Sequence, residues 1–289
     1  MPSLTTHLIT TPNVTTLLAS LRSLPQDHRP LYVGETHHWI HEPSLSATAL
    51  TGPGSAPTKW NYLIVAPSAG TDGLDLPSGI DSSAIGEKWS IAAPVDDTWL
   101  SNYTEQHQRR LTSPAPSLPG GWSATDHSVL DATIPPTDLS ASLALRSRPL
   151  GQSTPLTLQS FIPPFATAHP GPVTMFNLLA YTPNGGREKY YGYIAAFSAS
   201  TGIKYGGEPL FLGRDVTAWS SQKSATEERD MGEGEGWVDC ALVWYPSLWH
   251  FGKMLDDPGY AAADREFKTG AIRDNPLMCC TEVEVGYVD

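Results

Sequence analysis

The strands and helices predicted for the segment 172–289 follow an order that is compatible with few folds. Residues 173–180 (VTMFNLLA) are apolar at nearly every position, which is typical of a strand covered on both faces. Tyr190, Ile194 and Phe197 recur at helical spacing, and Gly202 marks the expected helix end. The order is β-α-β-β-α-β, and its later elements are strand 203–216 with a bulge at Gly206-Gly207, strand 237–245, helices starting at about 247 and 257 and ending near 273, and strand 278–285.

The N-terminal part shows a looser version of the same order. Strands are predicted over 6–10, 31–40, 59–66 and 88–95, and Asn13 is placed to cap a helix with leucines at helical spacing. Asp96 or Asp97 is predicted to cap a helix over 99–111, and 128–132 is the predicted closing strand. The two parts therefore share an order of elements, without a repeat of individual residues.

These patterns predict two domains and a connection. The boundaries are 1–135, 136–171 and 172–289, and the middle segment is a connection rich in proline and serine with a short helix over 138–146. A further loop is predicted over 217–236, where glycines alternate with glutamates near its end. Alternating carboxylates repel phosphate, so this loop is not expected to bind a nucleotide.

Charge and cysteine content exclude several classes of partner. The net charge is −12, and phosphate contacts need Lys and Arg, so we expect neither nucleic acid nor an anionic membrane as partner. The sequence has no apolar run of about 18 residues and no basic start followed by an apolar stretch, so we expect no membrane span and no signal peptide. Three cysteines fit a reducing compartment, and the expected location is the cytoplasm.

Several short motifs of the C-terminal segment share a pattern with a known superfamily. They are Asn177-Leu178-Leu179, Gly206-Gly207, Gly213-Arg214, Tyr245-Pro246-Ser247 and Asp257-Pro258-Gly259-Tyr260. Over residues 173–285 the chain resembles the dimeric α+β barrel superfamily, and it is most similar to an uncharacterised bacterial and fungal branch. The resemblance implies an α+β fold of tandem ferredoxin-like (βαββαβ) units that form a dimeric-type α+β barrel. The barrel would close in a homodimer or within one chain as a pseudo-dimer.

Relatives in this superfamily include cofactor-free monooxygenases of aromatic polyketides, muconolactone-type isomerases, polyketide cyclases and haem-binding branches. The resemblance implies a cofactor-independent enzyme of specialised metabolism that acts on an apolar, aromatic or polyketide-like small molecule. The expected step is proton transfer at an enolisable carbon, which gives isomerisation or cyclisation, and oxygenation if the carbanion meets O₂. The alternative is a stress-response or binding barrel without turnover. The acidic insertion 217–236 and the divergent N-terminal half depart from the superfamily pattern.

The expected pocket lies between the C-terminal sheet and its helices, and four residues are candidates for chemistry there. Asn177 interrupts an apolar strand and is predicted to orient a substrate oxygen or to form a structural hydrogen bond. Arg214 is predicted to bind an enolate or carboxylate, or to pair with a carboxylate of the sheet such as Asp239 or Glu282. His250 and Tyr190 are the candidate acid and base.

Aromatic side chains are expected to form the wall of the pocket. Those predicted to bind substrate are Trp244, Tyr245, Tyr193, Phe197 and Tyr260. Trp244 and Tyr245 are neighbours in a strand, so one of the two is expected to face inward.

The densest titratable cluster lies between Glu35 and His41. The surrounding residues favour a strand, on which Glu35, His37 and His41 project on one face. A zinc site there would need a further ligand such as His107 or His127, and the other interpretation is an exposed polar strand face. The sequence contains no H-E-x-x-H, no Walker A motif and no G-x-G-x-x-G after a strand, so no metal or cofactor is predicted.

Overall fold

The structure is a computed structural model, and it describes residues 1–45, 47–52, 57–68, 74–113, 117, 148–152, 156–221 and 236–288. Among these residues, eleven strands join one sheet in which the pairings are antiparallel. The strands are β1 Ser3–Ile9, β2 Tyr32–His41, β3 Tyr62–Pro67, β4 Lys88–Pro94, β5 Arg148–Pro149, β6 Val173–Tyr181, β7 Glu208–Arg214, β8 Ala218–Ser221, β9 Asp239–Tyr245, β10 Ile272–Asp274 and β11 Leu277–Glu282.

Three of the helices begin where the sequence predicts a capping residue. The α-helices of the described residues are α1 Val14–Arg22, α2 Ala47–Thr51, α3 Asp97–Thr112, α4 Leu158–Ala168, α5 Gly186–Ala199, α6 Thr201–Lys204, α7 Leu248–Leu255 and α8 Pro258–Ala263. Asn13, Asp96 and Asp257 accept hydrogen bonds from backbone N–H groups in the first turns of α1, α3 and α8. A π-helical turn, Asp264–Lys268, follows α8 directly.

The sheet curves into a nearly closed barrel to which both halves contribute the same strand order. That order is β7-β9-β6-β11-β2-β3-β1-β4-β8. When the short strands β5, β8 and β10 are set aside, the second, third, first and fourth strands of each half lie side by side, as β7, β9, β6, β11 in the C-terminal half and as β2, β3, β1, β4 in the N-terminal half. Pairing of β11 with β2 joins the halves. In the C-terminal half, α7 and α8 lie between β9 and β11. At the corresponding place in the N-terminal half, between β3 and β4, the described residues form the 3₁₀ turn Ser82–Ala84.

The chain itself brings the two outer edges of the sheet together. After β7 it turns and continues as β8 along β4, and Thr217 N–H donates to the Ala92 carbonyl at 3.0 Å. Gly213 of β7 lies so close to β4 that a Cβ built on it would be 2.7 Å from Ala93 Cβ. Such a close approach of two backbones needs glycine. The edges of β7 and β4 therefore meet within one chain.

The barrel interior is a single apolar core filled from both halves. Trp89 of β4 and Phe176 of β6 are fully buried in it. Tyr32 of β2 lies across Gly34, and its Oη shares a hydrogen bond of 2.6 Å with Thr174 Oγ1 of β6. Because protein interiors are close-packed, removing one large interior side chain should destabilise both halves.

Helices cover the outer faces of the barrel. Leu17 and Leu21 of α1 pack on the N-terminal strands, while α5, α7 and α8 cover the C-terminal strands. Between them lies α4, whose Phe161 stacks on His38 of β2 with ring centroids 3.8 Å apart. The C-terminal strands are thus enclosed between the barrel core and a helical layer.

Helix α4 lies inside the segment 136–171, for which the sequence predicts a connection. Pro163 and Pro164 stand inside this helix, where each removes a helical N–H donor. Phe161, Ile162 and Ala166 are nevertheless buried against the neighbouring sheet and helix α7. Helical stability in proteins comes mainly from such packing, so local proline content is a poor guide here.

Three of the predicted boundaries differ most from the structure. The strand predicted over 203–216 begins only at Glu208, because helix α6 continues to Lys204 and Gly206 (φ 67°) ends that helix. The bulge predicted at Gly206-Gly207 is not there; the irregularity in the pairing of β7 with β9 lies between Pro209 and Phe211. The helix predicted to reach 273 ends at Lys268, and β10 follows. The loop predicted over 217–236 begins with β8. The predicted strand 128–132, the helix 138–146 and the remainder of the acidic loop over 222–235 lie outside the described residues.

Helix α3 crosses one end of the barrel. Tyr103 Oη donates to the Leu31 carbonyl at 2.8 Å, and His107 Nε2 lies 3.4 Å from Glu282 Oε1 on β11. Burial raises the pKa of Glu282 to about 7, and the Arg110 guanidinium acts in the opposite direction. The folded chain therefore keeps the proton of this carboxyl group at pH values where the unfolded chain has lost it.

We expect Glu282→Gln to gain stability relative to the wild type as the pH rises from about 4.5 towards 7, because Glu282 lowers the free energy of unfolding of the wild type over that interval. The buried His7, His37 and His38, whose pKa values burial lowers, act in the opposite direction in both proteins, so the difference between the two proteins reports on Glu282. In that interval the unfolded chain has released a proton that the folded chain still holds, so a higher pH favours unfolding. At about 1.4 kcal/mol per pKa unit, the loss is on the order of 2–3 kcal/mol. Urea unfolding at pH 5 and pH 8 measures it.

The exposed Glu266 provides the matched control for this prediction. Glu266→Gln should leave the difference between the two pH values as it is in the wild type. If the free energy of unfolding changes by the same amount in Glu282→Gln and in the wild type between pH 5 and pH 8, Glu282 does not retain its proton in the folded chain.

Candidate functional site

A cavity lies between the outer face of the C-terminal strands and the helices that cover it. Its volume is about 950 Å³ including the open mouth, within the range of small-molecule sites. Strands β6, β7 and β9 form its floor, and α5, α7, α8 and the π-helical turn form its roof. Most of the lining is apolar, with Met175, Leu179 and Val243 from the floor and Ile194 and Met254 from the roof. Such a lining suits a mostly apolar ligand.

Aromatic rings form much of the cavity wall. Tyr190, Tyr193 and Phe197 project from one face of α5, and they meet Tyr245 of β9 and Tyr260 of α8. The ring centroids of Tyr190 and Tyr193 are 5.4 Å apart, and Tyr260 meets Tyr193 edge-on at 6.1 Å. Burial holds the pKa of Tyr193 and Tyr260 well above the ordinary value for a phenol. These phenols therefore stay neutral at pH 7 and remain hydrogen-bond donors.

A histidine with a defined tautomer lies at the strand side of the cavity. His41 ends β2, and its Nδ1 is 2.7 Å from the Asn275 carbonyl oxygen. A carbonyl oxygen only accepts hydrogen bonds, so Nδ1 carries the proton and Nε2 carries the lone pair of the neutral ring. The geometry therefore defines Nε2 as the nitrogen of His41 that can take up a proton.

Two amides lie beside this histidine. Asn177 Nδ2 donates to the Met175 carbonyl at 2.9 Å, and Asn275 Nδ2 donates to the Leu178 carbonyl at 3.0 Å. Each bond uses one of the two N–H donors of its amide and fixes the plane of the side chain. Both residues line the cavity, so its strand side combines a basic nitrogen with oriented amide groups.

A buried ammonium group lines the helical side of the cavity. Lys268 ends the π-helical turn and is almost fully buried. Its Nζ lies 3.4 Å from Asp264 Oδ1, 4.6 Å from the Tyr193 ring centroid and 5.8 Å from that of Tyr260. Burial acts to lower the pKa of Lys268, but the neighbouring Tyr193 and Asp264 outweigh it and raise this pKa above its ordinary value. The group is therefore a cation in the folded protein.

The structure brings together six of the nine residues predicted for the pocket. Those that line the cavity are Tyr190, Asn177, Tyr245, Tyr193, Phe197 and Tyr260. The described residues that line it do not include His250, Arg214 or Trp244. The prediction that the pocket lies between sheet and helices therefore agrees with the structure, and three of its assigned side chains point elsewhere.

Two of these three residues, Trp244 and His250, are buried but do not face the cavity. Trp244 faces the barrel interior because it alternates with Tyr245 in β9. His250 lies near the start of α7, a helix buried around most of its circumference, and its Nδ1 is 2.8 Å from Ser247 Oγ. Hydrophobic spacing in a helix that is buried all round cannot show which face meets a cavity.

Arg214 is exposed at the end of β7. Its guanidinium carbon lies 5.2 Å from the Tyr191 ring centroid, which is a cation–π distance. Asp239, its predicted partner on the neighbouring strand, instead forms an ion pair of 2.7 Å with Arg187 of α5. Glu282, the other predicted partner, lies at the α3 end of the barrel beside His107.

The cluster around His37 forms part of β2, as the flanking residues predict. His37 Nε2 lies 2.7 Å from Thr281 Oγ1, and its ring packs against Phe165 of α4 with centroids 5.0 Å apart. Among the described residues, no group of three or more His, Cys, Asp or Glu side chains is arranged to hold a metal ion. His127, one of the two proposed further ligands, lies outside the described residues.

Sequence reasoning missed Lys268 and Asn275, and it considered His41 only as a metal ligand. The i,i+4 spacing of Asp264 and Lys268 is a detectable signal for an ion pair, but that spacing is usual on exposed helix faces. Asn275 precedes Pro276, a pair that indicates an ordinary turn. None of these local patterns reveals that the residues meet over a cavity.

Comparisons with known proteins identify no family. No family model and no curated protein matches the chain. Two crystal structures of the RPA0582 protein of Rhodopseudomonas palustris, one of the methylated protein and one described as of unknown function, are 22% and 23% identical to this chain. They cover 42% of this chain and 90% and 92% of their own, with TM-scores of 0.32 and 0.31. A likeness this weak carries no argument about fold or function.

No helix among the described residues is long and apolar enough to cross a membrane.

Proposed function

We propose that the cavity binds an apolar, aromatic or polyketide-like small molecule with a carbonyl group, and that the protein catalyses proton transfer at the adjacent carbon. The observation that carries this proposal is His41, a histidine of defined tautomer that lines an otherwise mainly apolar cavity. A basic ring nitrogen in a largely apolar site is a usual arrangement for abstracting a weakly acidic C–H proton. The proposed enzyme is thus an isomerase or cyclase that needs no cofactor.

The proposed step is a proton transfer from a substrate carbon to His41, with an enolate as the intermediate. His41 Nε2 takes the proton from the carbon next to the carbonyl, and the electron pair of that C–H bond forms the enolate. The second N–H of Asn177, which the Met175 carbonyl does not use, is available to the enolate oxygen. Return of the same proton to another carbon of the delocalised enolate gives isomerisation. Attack of the enolate carbon on a second carbonyl carbon of the same molecule gives cyclisation, in which the π electrons of that C=O bond move to its oxygen and His41 returns the proton to this oxygen.

Tyr190, Tyr193 and Tyr260 have a second role in this proposal. Their phenols are neutral donors near pH 7, so they can hold further oxygens of a polyketide-like substrate without acting as bases. Phe197 and Tyr245 supply apolar ring surface for an aromatic substrate. The lining therefore favours a flat substrate with a few oxygen atoms.

We also propose that the two halves are tandem ferredoxin-like units forming an intramolecular pseudo-dimer. The shared strand order of the halves, and the two junctions β11–β2 and β7–β4 that relate them, support this proposal. A barrel completed within one chain has little need of a partner to cover its edges. The expected mass in solution is therefore that of one chain, 31.2 kDa, and analytical ultracentrifugation would measure it.

Solvent-exchange NMR tests the proposed activity on a panel of compounds, so the natural substrate need not be identified first. The protein is added at pH 7 in D₂O to a panel of aryl ketones and 1,3-diketones that includes 2-tetralone, and loss of the α-proton signal is followed. The expected result is enzyme-dependent exchange in at least one compound. Binding of several compounds without exchange in any of them would instead support the alternative, a barrel that binds a hydrophobic ligand without turnover.

A further inference from the structure

Lys268 is a cation at a place where an apolar ligand would not need one. It lines the cavity from the helical side, whereas His41 and Asn177 line it from the strands. Placing an ammonium group at the wall of a dry cavity is costly unless an anion or other acceptor compensates it. The proton transfer proposed for His41 gives Lys268 no role.

The internal partners of Lys268 leave this group capable of binding a second anion. Its distance of 3.4 Å to Asp264 Oδ1 is longer than the roughly 2.7–2.9 Å of a strong charge-assisted hydrogen bond. Within the part of the chain that the structure describes, this Asp264 oxygen satisfies no hydrogen-bond geometry. An ammonium group has three N–H donors, and the ring faces of Tyr193 and Tyr260 also lie near it. A ring face is a weak partner compared with a carboxylate.

We propose that the substrate carries a carboxylate, which binds Lys268 at the helical side of the cavity while its carbonyl end lies towards His41. This inference rests on the proposed function and specifies its substrate class as apolar, aromatic carboxylic acids. A carboxylic acid is ionised at neutral pH, whereas a phenol is not, so a carboxylate is the anion that such a substrate would present. The rings of Tyr193 and Tyr260 lie 4.6 Å and 5.8 Å from the ammonium nitrogen, and their neutral hydroxyl groups supply further donors in the same cavity.

The wild-type protein alone provides the first test. Binding of 2-naphthoate and of 2-naphthamide is measured by isothermal titration calorimetry at pH 7. The two probes have the same ring system and differ in charge. We expect 2-naphthoate to bind about 10-fold more tightly or better, because a charge-assisted hydrogen bond replaces a neutral one. Equal affinity for both probes, or a preference for the amide, would overturn the inference.

Variants of the ion pair provide the second test. Lys268→Met should weaken binding of 2-naphthoate about 10-fold or more and change binding of 2-naphthamide little, because methionine fills the same space without charge. Asp264→Asn should strengthen binding of 2-naphthoate, because it removes the competing carboxylate. The exposed Lys189→Met is the matched control and should change neither affinity. Retained preference for 2-naphthoate in Lys268→Met would assign the anion to another site and contradict the inference.

The same data separate failure of this inference from failure of the proposed function. If 2-naphthamide binds as well as 2-naphthoate, the cavity is a small-molecule site without the carboxylate preference. If neither probe binds, the carboxylate inference fails together with the small-molecule site. If 2-naphthoate is preferred but no ketone exchanges its α-proton, the inference about Lys268 stands and the catalytic proposal fails.

Discussion

Replacement of His41 by asparagine is expected to lower the rate of solvent exchange into a bound ketone by about 100-fold or more, with little change in its affinity. Asparagine places an N–H near the position of Nδ1, so the hydrogen bond to the Asn275 carbonyl can persist, but it offers no basic nitrogen in place of Nε2. The exchange rate at saturating ketone and the dissociation constant are measured separately for each variant. A loss of rate with retained binding identifies a group that acts on the reacting proton.

His250 and His28 provide the comparisons for this experiment. His250→Gln changes a buried histidine that does not line the cavity, and His28→Gln changes a partly exposed one. Neither variant is expected to lower the exchange rate more than about threefold once it is shown to be folded. Loss of exchange in His250→Gln together with full exchange in His41→Asn would restore the assignment based on the sequence and contradict the one based on the cavity.

Truncation of Phe176 to alanine is expected to destabilise both halves of the chain together, by about 3–5 kcal/mol. Phe176 is fully buried on the inner face of β6, in the core that it shares with Trp89 of β4. Trp89→Ala is expected to have a similar effect from the other half. Hydrogen exchange read out by mass spectrometry, at increasing urea, would follow peptides from residues 1–112 and from 173–282 separately.

The pattern of exchange distinguishes a shared core from two independent ones. For both variants, peptides of the two halves should lose protection at the same urea concentration, below that of the wild type. Ile203→Ala, at an exposed position, should leave that concentration unchanged. If Phe176→Ala exposes only the C-terminal half while β1 to β4 stay protected, the halves do not share one core.

Elements with a strong local pattern could be predicted from the sequence. Residues 173–180 combine apolar side chains with β-branched residues, and β6 covers almost the same range. The caps at Asn13 and Asp257 follow from side-chain chemistry that acts within one turn. The boundary at Glu208 could not be found, because Gly206 and Gly207 are compatible with a bulge as well as with a helix end.

Part of the candidate site follows from local patterns in the sequence. Tyr190 and Phe197 recur at helical spacing, and Asn177 is a polar residue in an otherwise apolar strand; all three line the cavity. Lys268 could not be assigned, because its π-helical turn and its burial arise from packing against α5. The meeting of His41 with Asn275 depends on how β2 pairs with β11, a contact between residues 234 positions apart. No local pattern encodes such a pairing.

The position of a bound ligand is the most direct test of the central claim, that the functional site is the cavity between sheet and helices. Met175 and Met254 line that cavity, whereas Met278 is fully buried in the barrel interior. Titration of ¹³C-methyl-methionine-labelled protein with 2-naphthoate reports on all three by NMR. The cavity assignment predicts that the Met175 and Met254 methyl signals shift while that of Met278 stays in place. A shift of Met278 alone would place the ligand inside the barrel and contradict the assignment.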